Sequence, residues 1–161
     1  MVLIRKILSF GASRSEMVHI WKVYCRSVLE QSAVLWQGAL TQENRDTLER
    51  TQKTFAKLIL KRKYKSYKQS LQVLDLPTLD ARRNQISLNF AKKCIENKKM
   101  AHLFPLKEKK HEYKIRKMQK YNIQFANTER TRKSPIIFMQ TLLNKEYNMK
   151  PVAPLSLLSH G

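Results

Sequence analysis

A chain of 161 residues with 42% hydrophobic residues suits one domain of ordinary size, and three glycines and five prolines are too few for the turns of an all-β fold. Its 32 lysines and arginines against 12 acids leave a formal charge of +20. Self-repulsion of that size destabilises a compact state unless a polyanion offsets it, which makes nucleic acid the expected partner ahead of an anionic membrane surface.

The opening MVLIRKILSF is too short and interrupted for a signal peptide and reads as a short helix entered mid-domain. Gly11 separates it from the strongest helical pattern, Ser15 to Trp36, where Met17, Trp21, Tyr24, Val28 and Leu35 recur at spacings of three, four and seven. Ser13 or Ser15 caps its start, Arg26 and Glu30 pair along it, and Gly38 ends it. A second helix is predicted from about Thr41 to Arg62, capped by Thr41, with Leu48, Phe55, Leu58 and Ile59 as its apolar stripe. Cations at its far end complement the helix dipole.

A short helix over Ser66 to Leu74 turns Tyr67, Leu71 and Leu74 inward. Asp75-Leu76-Pro77 is a break, after which Thr78 caps a helix to about Asn97 striped by Leu79, Ile86, Phe90, Cys94 and Ile95. Arg82, Arg83, Lys92 and Lys93 fall mostly away from that stripe. Residues 107–120 hold seven lysines and arginines and few apolar groups, and read as a mobile, extended or marginally helical basic linker. A last helix follows, with Ser134 as cap, Pro135 in the first turn, and Ile136, Met139, Leu142 and Leu143 as its stripe. The predicted organisation is all-α: a small helical domain over 1–105, a basic linker over 106–132, a short C-terminal helix over 133–147 and a frayed tail over 148–161. Charge follows this order, since residues 1–50 carry a net of +2 and residues 51–161 a net of +18. The first third therefore reads as a packing unit and the rest as a contact surface.

An ordered series of short blocks resembles a known family. Arg26-Ser27-Val28-Leu29-Glu30 comes first, followed by Trp36, Leu40-Thr41 and Leu48-Glu49-Arg50-Thr51-Gln52-Lys53. Tyr67-Lys68-Gln69-Ser70-Leu71, Leu74, Leu76-Pro77-Thr78-Leu79, Arg82-Arg83 and Phe90-Ala91-Lys92-Lys93-Cys94 continue it. His102-Leu103-Phe104-Pro105, Asn127-Thr128-Glu129-Arg130, Ser134-Pro135-Ile136 and Leu142-Leu143-Asn144 complete it. The series resembles the region just downstream of the polymerase core in reverse transcriptases of non-LTR retrotransposons, the jockey-like or LINE-type elements. Gln31 departs from the pattern, where an aromatic commonly follows the glutamate. The resemblance implies a thumb-like segment that follows the palm, grips the template–primer duplex by its backbone, packs against the palm and supplies no catalytic group.

The residues themselves point away from chemistry. Two-metal nucleotidyl transfer needs closely set carboxylates, and the three aspartates, Asp46, Asp75 and Asp80, are scattered. His19, His102, His111 and His160 form no ligand pair, so neither a metal nor a cofactor is expected. Cys25 and Cys94 read as core thiols in a reducing compartment. No apolar run approaches the roughly 20 residues that span a bilayer.

The expected contact surface is backbone-directed. Lys57, Lys61, Arg62, Lys63, Lys65 and Lys68, interleaved with Tyr64 and Tyr67, form the first candidate cluster. Tyr67 fits a core stripe, which leaves Tyr64 as the aromatic contact. Arg82, Arg83, Lys92 and Lys93 form the second, and residues 107–120 the third. Trp21 and Trp36 read as core. Lys61-Arg62-Lys63 also resembles a nuclear import signal, which would place the protein in the nucleus. Two further readings stay open: a helical protein-interaction module, marked by an exposed apolar patch on the first two helices, and a basic structural RNA-binding protein of ribosomal type.

Overall fold

The computed structural model describes residues 2–107 and 119–149. Those residues are mostly helical, and the strand-like pairing among them is one isolated antiparallel bridge, Leu106 with Tyr121. The all-α expectation holds. The chain divides into two compact units, Met1–Phe90 and Ala91–Gly161.

In the first unit, α1 (Val2–Ser9) ends at Gly11, whose φ of 85° suits a residue without Cβ. α2 (Arg14–Ile20) starts with a capping box: the Glu16 amide donates to Ser13 Oγ, and the Ser13 amide donates to the Glu16 carboxylate. The chain then widens into a π turn over Trp21–Cys25, where the Arg26 amide reaches back to the Trp21 carbonyl. α3 (Arg26–Glu30) follows, and the chain breaks at Ser32 in the left-handed region before α4 (Ala33–Trp36).

The π turn changes which side chains face the core. Met17 and Trp21 are buried as expected, but Tyr24, Val28 and Leu35 are 66–68% exposed. Cys25 and Leu29 pack inward in their place. At 3.6 residues per turn, positions four apart drift around a helix. The wider turn cancels part of that drift and holds Met17, Trp21, Cys25 and Leu29 on one side. Trp36 is half-buried rather than core, and its Nε1 donates to the Gln31 carbonyl at 2.8 Å.

α5 (Gln42–Leu60) is capped by Thr41, which accepts from the Asn44 amide. Its inner face presents Phe55, Ala56 and Leu60 to the core, and Phe55 stacks on Trp21 with centroids 4.4 Å apart. Such a stack adds about 1 kcal/mol beyond the area it removes from water. α6 (Tyr67–Leu74) is capped by Ser66 and contributes Leu71 and Leu74 to the same core. It closes in a Schellman motif: Leu76 N donates to Leu71 O at 3.0 Å, and Asp75 takes the left-handed position with φ 49°. α7 (Leu79–Glu96) begins after Pro77 with Thr78 accepting from the Ala81 amide.

Lys61, between α5 and α6, has φ 47° and ψ −120°. That is a positive-φ region of the backbone where glycine is the ordinary occupant. Relief of the strain in Lys61→Gly is expected to stabilise the protein by about 1 kcal/mol. A urea titration followed by tryptophan fluorescence measures it, and a lower midpoint would contradict the assigned backbone.

In the second unit, α7 ends near Asn97 and a 3-10 turn over Ala101–Leu103 follows, with His102 exposed on it. α8 (Glu129–Arg132) and α9 (Pro135–Met149) come last. The α9 side chains Ile137, Met139 and Leu143 are buried, and so are Gln140 and Asn144. These two amides, one turn apart, hold extended chain. Asn144 Oδ1 accepts from Tyr121 N at 2.9 Å and its Nδ2 donates to Tyr121 O at 3.0 Å. Gln140 accepts from Gln124 N and donates to Leu103 O. Part of the expected linker is therefore docked on α9, because buried side-chain amides satisfy its backbone. Residues 108–118 of that linker, and the tail from 150, lie outside the described residues.

Candidate nucleic-acid interface

The corner between α5 and α6 holds the first candidate cluster. Lys57 lies in the last turn of α5, Lys61, Arg62 and Lys63 form a 3-10 turn, Lys65 lies in extended chain, and Lys68 starts α6. All six side chains are exposed. Among the described residues none of the six pairs with a carboxylate, whereas Arg26, Arg45, Arg82, Arg83, Lys92 and Lys133 all do. The turn places the cations at one end of α5, where they also face the negative end of its dipole. Lys53, exposed one turn before Lys57, extends the row along α5. The four-residue spacing 53, 57, 61 is the signal that would have added it.

The tyrosines are less available than the cations. Tyr67 is half-buried: its hydroxyl donates to Glu49 Oε1 and accepts from Gln52 Nε2 at 3.1 Å. Burial first, and then the bond to the Glu49 carboxylate and its charge, push the Tyr67 phenol well above its ordinary value. Tyr64, the expected aromatic contact, is also half-buried, packs on the core and has Lys57 Nζ 5.6 Å from its ring centre. Phosphate contact at this corner thus falls to the cations, with little aromatic surface free for stacking.

The second cluster is not a surface. Arg83, expected on the outer side of α7, is fully buried. Its Nε donates to Gln37 Oε1 at 2.7 Å and its guanidinium lies 5.6 Å from the Trp36 ring centre. Burial weakens its hold on its proton, and the Asp80 charge, 4.0 Å away, opposes that shift. Asp80 accepts from Arg45, from Gln37 Nε2 at 2.8 Å and from Asn84 Nδ2 at 3.0 Å. Burial alone would raise the Asp80 carboxyl, but the Gln37 and Arg45 hydrogen bonds and the charges of Arg45 and Arg83 outweigh it and lower it. The group ties the turn after α4 to the starts of α5 and α7.

Arg82 and Lys92 are also engaged. Arg82 Nε lies 3.1 Å from Glu30, which also holds Arg26 at 3.6 Å. Lys92 pairs with Glu146 at 2.7 Å, and Lys93 alone of this cluster is exposed without a carboxylate partner among the described residues. Most of the third cluster lies outside the described residues.

Glu49 links α5, α6 and α7. Both carboxylate oxygens accept from the Leu79 amide, at 3.1 and 3.2 Å, so a side chain of α5 caps the positive end of α7. Gln52, one turn on, donates to the Pro77 carbonyl at 2.8 Å. The remaining aspartates have separate settings: Asp46 accepts from Gln42 on α5, and Asp75 closes α6. The Cys25 and Cys94 thiols are free, and burial raises both above the ordinary thiol value, which disfavours the reactive thiolate. No described helix is long and apolar enough to cross a membrane. Family models, curated proteins and solved structures were each compared with the chain, and none matches it.

Proposed function

We propose that this chain is a non-catalytic segment that grips a nucleic-acid backbone, of the thumb-like kind that follows the palm in non-LTR retrotransposon reverse transcriptases. The observation that carries the reading is the crowding of charge: six exposed cations fall between 57 and 68 at one corner, and none has a carboxylate partner among the described residues. Unpaired lysines and arginines at one corner release counterions when they meet phosphates. The residues that carry the family resemblance also work as a framework: Glu30, Trp36, Glu49, Gln52, Tyr67, Pro77, Leu79, Arg82 and Arg83 take part in the polar contacts that hold the first unit together. In this reading the chain supports reverse transcription inside a larger enzyme, in the nucleus, without contributing a catalytic group or binding a cofactor.

Fluorescence anisotropy against an RNA–DNA hybrid, double-stranded DNA and heparin across a salt series tests it. Six phosphate contacts give a slope of log K against log salt of about −5, with the hybrid bound most tightly. Absence of binding at low salt would sink the reading.

A second reading, a helical protein-interaction module, is favoured by the exposed apolar side chains Tyr24, Val28 and Leu35 and by Phe10, 80% exposed. In the family reading such side chains would face the palm.

A further inference from the structure

The nucleic-acid corner contains one hydroxyl group that the binding reading does not use. Ser66 is exposed and precedes α6. Its backbone is extended, with φ −141° and ψ 158°, and so is that of Tyr64, with φ −72° and ψ 117°. Its Oγ accepts from the Gln69 amide at 3.3 Å. The hydroxyl proton is therefore not engaged by that bond. The neighbours are cationic on both sides: Lys63 three before, Lys65 one before and Lys68 two after, with Arg62 next in the row. The comparable Ser134 and Ser70 differ: Ser134 is half-buried, and Ser70 is buried with its hydroxyl donating to the Ser66 carbonyl.

Basic residues flanking a serine in accessible, extended chain are what a kinase with an acidic substrate groove reads, by charge complementarity. We propose that Ser66 is a phosphorylation site for a basophilic serine kinase and that the phosphate switches off the polyanion-binding corner. This rests on the backbone-gripping reading above. Ser66 Oγ attacks the γ-phosphorus of ATP, its proton passes to the kinase's base, the bond to the β-phosphate oxygen breaks, and ADP leaves. Tyr67, the next residue, is held by Glu49 and Gln52, so the kinase meets the segment from its Lys63–Lys65 side.

The product has two local effects. A phosphate at the start of α6 carries about two negative charges near the positive helix end, where it accepts from the first-turn amides and favours the helix. The same charge lies among Arg62, Lys63, Lys65 and Lys68 and pairs with them, which removes cations from the surface offered to nucleic acid. Phosphorylation therefore leaves the fold intact and lowers affinity.

The experiment treats the full native chain with ATP and the catalytic subunit of a basophilic serine kinase, maps phosphate by mass spectrometry, and measures hybrid binding by anisotropy across a salt series. The expected result is phosphate on Ser66, an affinity at least about tenfold lower near 0.1 M salt, and a salt slope smaller by about 2. Ser66→Ala treated identically should keep its binding. Lys63→Ala with Lys65→Ala should slow phosphorylation at Ser66. Tight binding by the unmodified chain with no phosphate on Ser66, or with phosphate and unchanged affinity, overturns the switch alone. An unmodified chain that binds nothing overturns the gripping reading and the switch with it.

Discussion

Replacing Lys61, Arg62, Lys63 and Lys65 together by glutamine is expected to weaken binding to an RNA–DNA hybrid about four thousandfold near 0.1 M salt. Each phosphate contact contributes about 0.9 to the salt slope, so each cation is worth close to tenfold at that ionic strength, and the slope should flatten by about 3.6. Stability should barely move, because exposed side chains without partners among the described residues cost about 0.5 kcal/mol or less when exchanged. A charge-matched control replaces Arg5, Lys6, Arg14 and Lys98, which are also exposed. If affinity followed net charge alone, both variants would lose the same factor. Equal losses in the two anisotropy series would therefore refute a localised corner, and a large loss in the first with a small one in the control would support it.

The helix starts were legible because capping is local chemistry. Ser13 with Glu16, Thr41, Ser66 and Thr78 each satisfy amides within three residues of themselves, and their spacing is visible along the chain. The register beyond Trp21 was not legible. Tyr24, Val28 and Leu35 fit a regular 3.6-residue period, and nothing in their types announces a π turn that moves the inner face to Cys25 and Leu29. The candidate site divides the same way. Lys61, Arg62 and Lys63 stand out as an unbroken basic run, and they are exposed. Arg82-Arg83 looks like a second run, but Arg83 points into a cluster built with Gln37 and Asp80, and Arg82 onto Glu30. The partners Gln37 and Glu30 lie far off in sequence, and only the fold brings them to α7. The docking of residues 121–124 on Gln140 and Asn144 was hidden likewise, since two amides in a helix read as its polar face.

That buried cluster sets the other large effect. Arg83 is a cation with no exposure, and Asp80 is the carboxylate nearest to it. Removing one partner of a buried pair typically costs about 3–5 kcal/mol, because the charge left behind keeps its desolvation penalty. Asp80 is 41% exposed and 4.0 Å away, so screening trims the pair's share, while the Arg45, Gln37 and Asn84 bonds lost with it restore part of the difference. Asp80→Ala is thus expected to lower stability by about 3 kcal/mol in urea titrations. Acid titration gives the sign independently. The folded Asp80 carboxyl lies below its ordinary value, so its contribution is complete above the unfolded value of about 3.9 and is lost as pH falls through the lower folded value. Asp80→Asn should lack that part of the acid sensitivity. Pairing Asp80→Ala with Arg83→Met, which removes the stranded cation and keeps much of its volume, should recover part of the loss, since the Arg45 and Asn84 bonds stay broken and the buried Gln37 loses its Arg83 donor. If the single and double variants unfold at the same urea concentration, the cost came from the Arg45 and Gln37 bonds, and the buried charge of Arg83 is not what Asp80 holds in place.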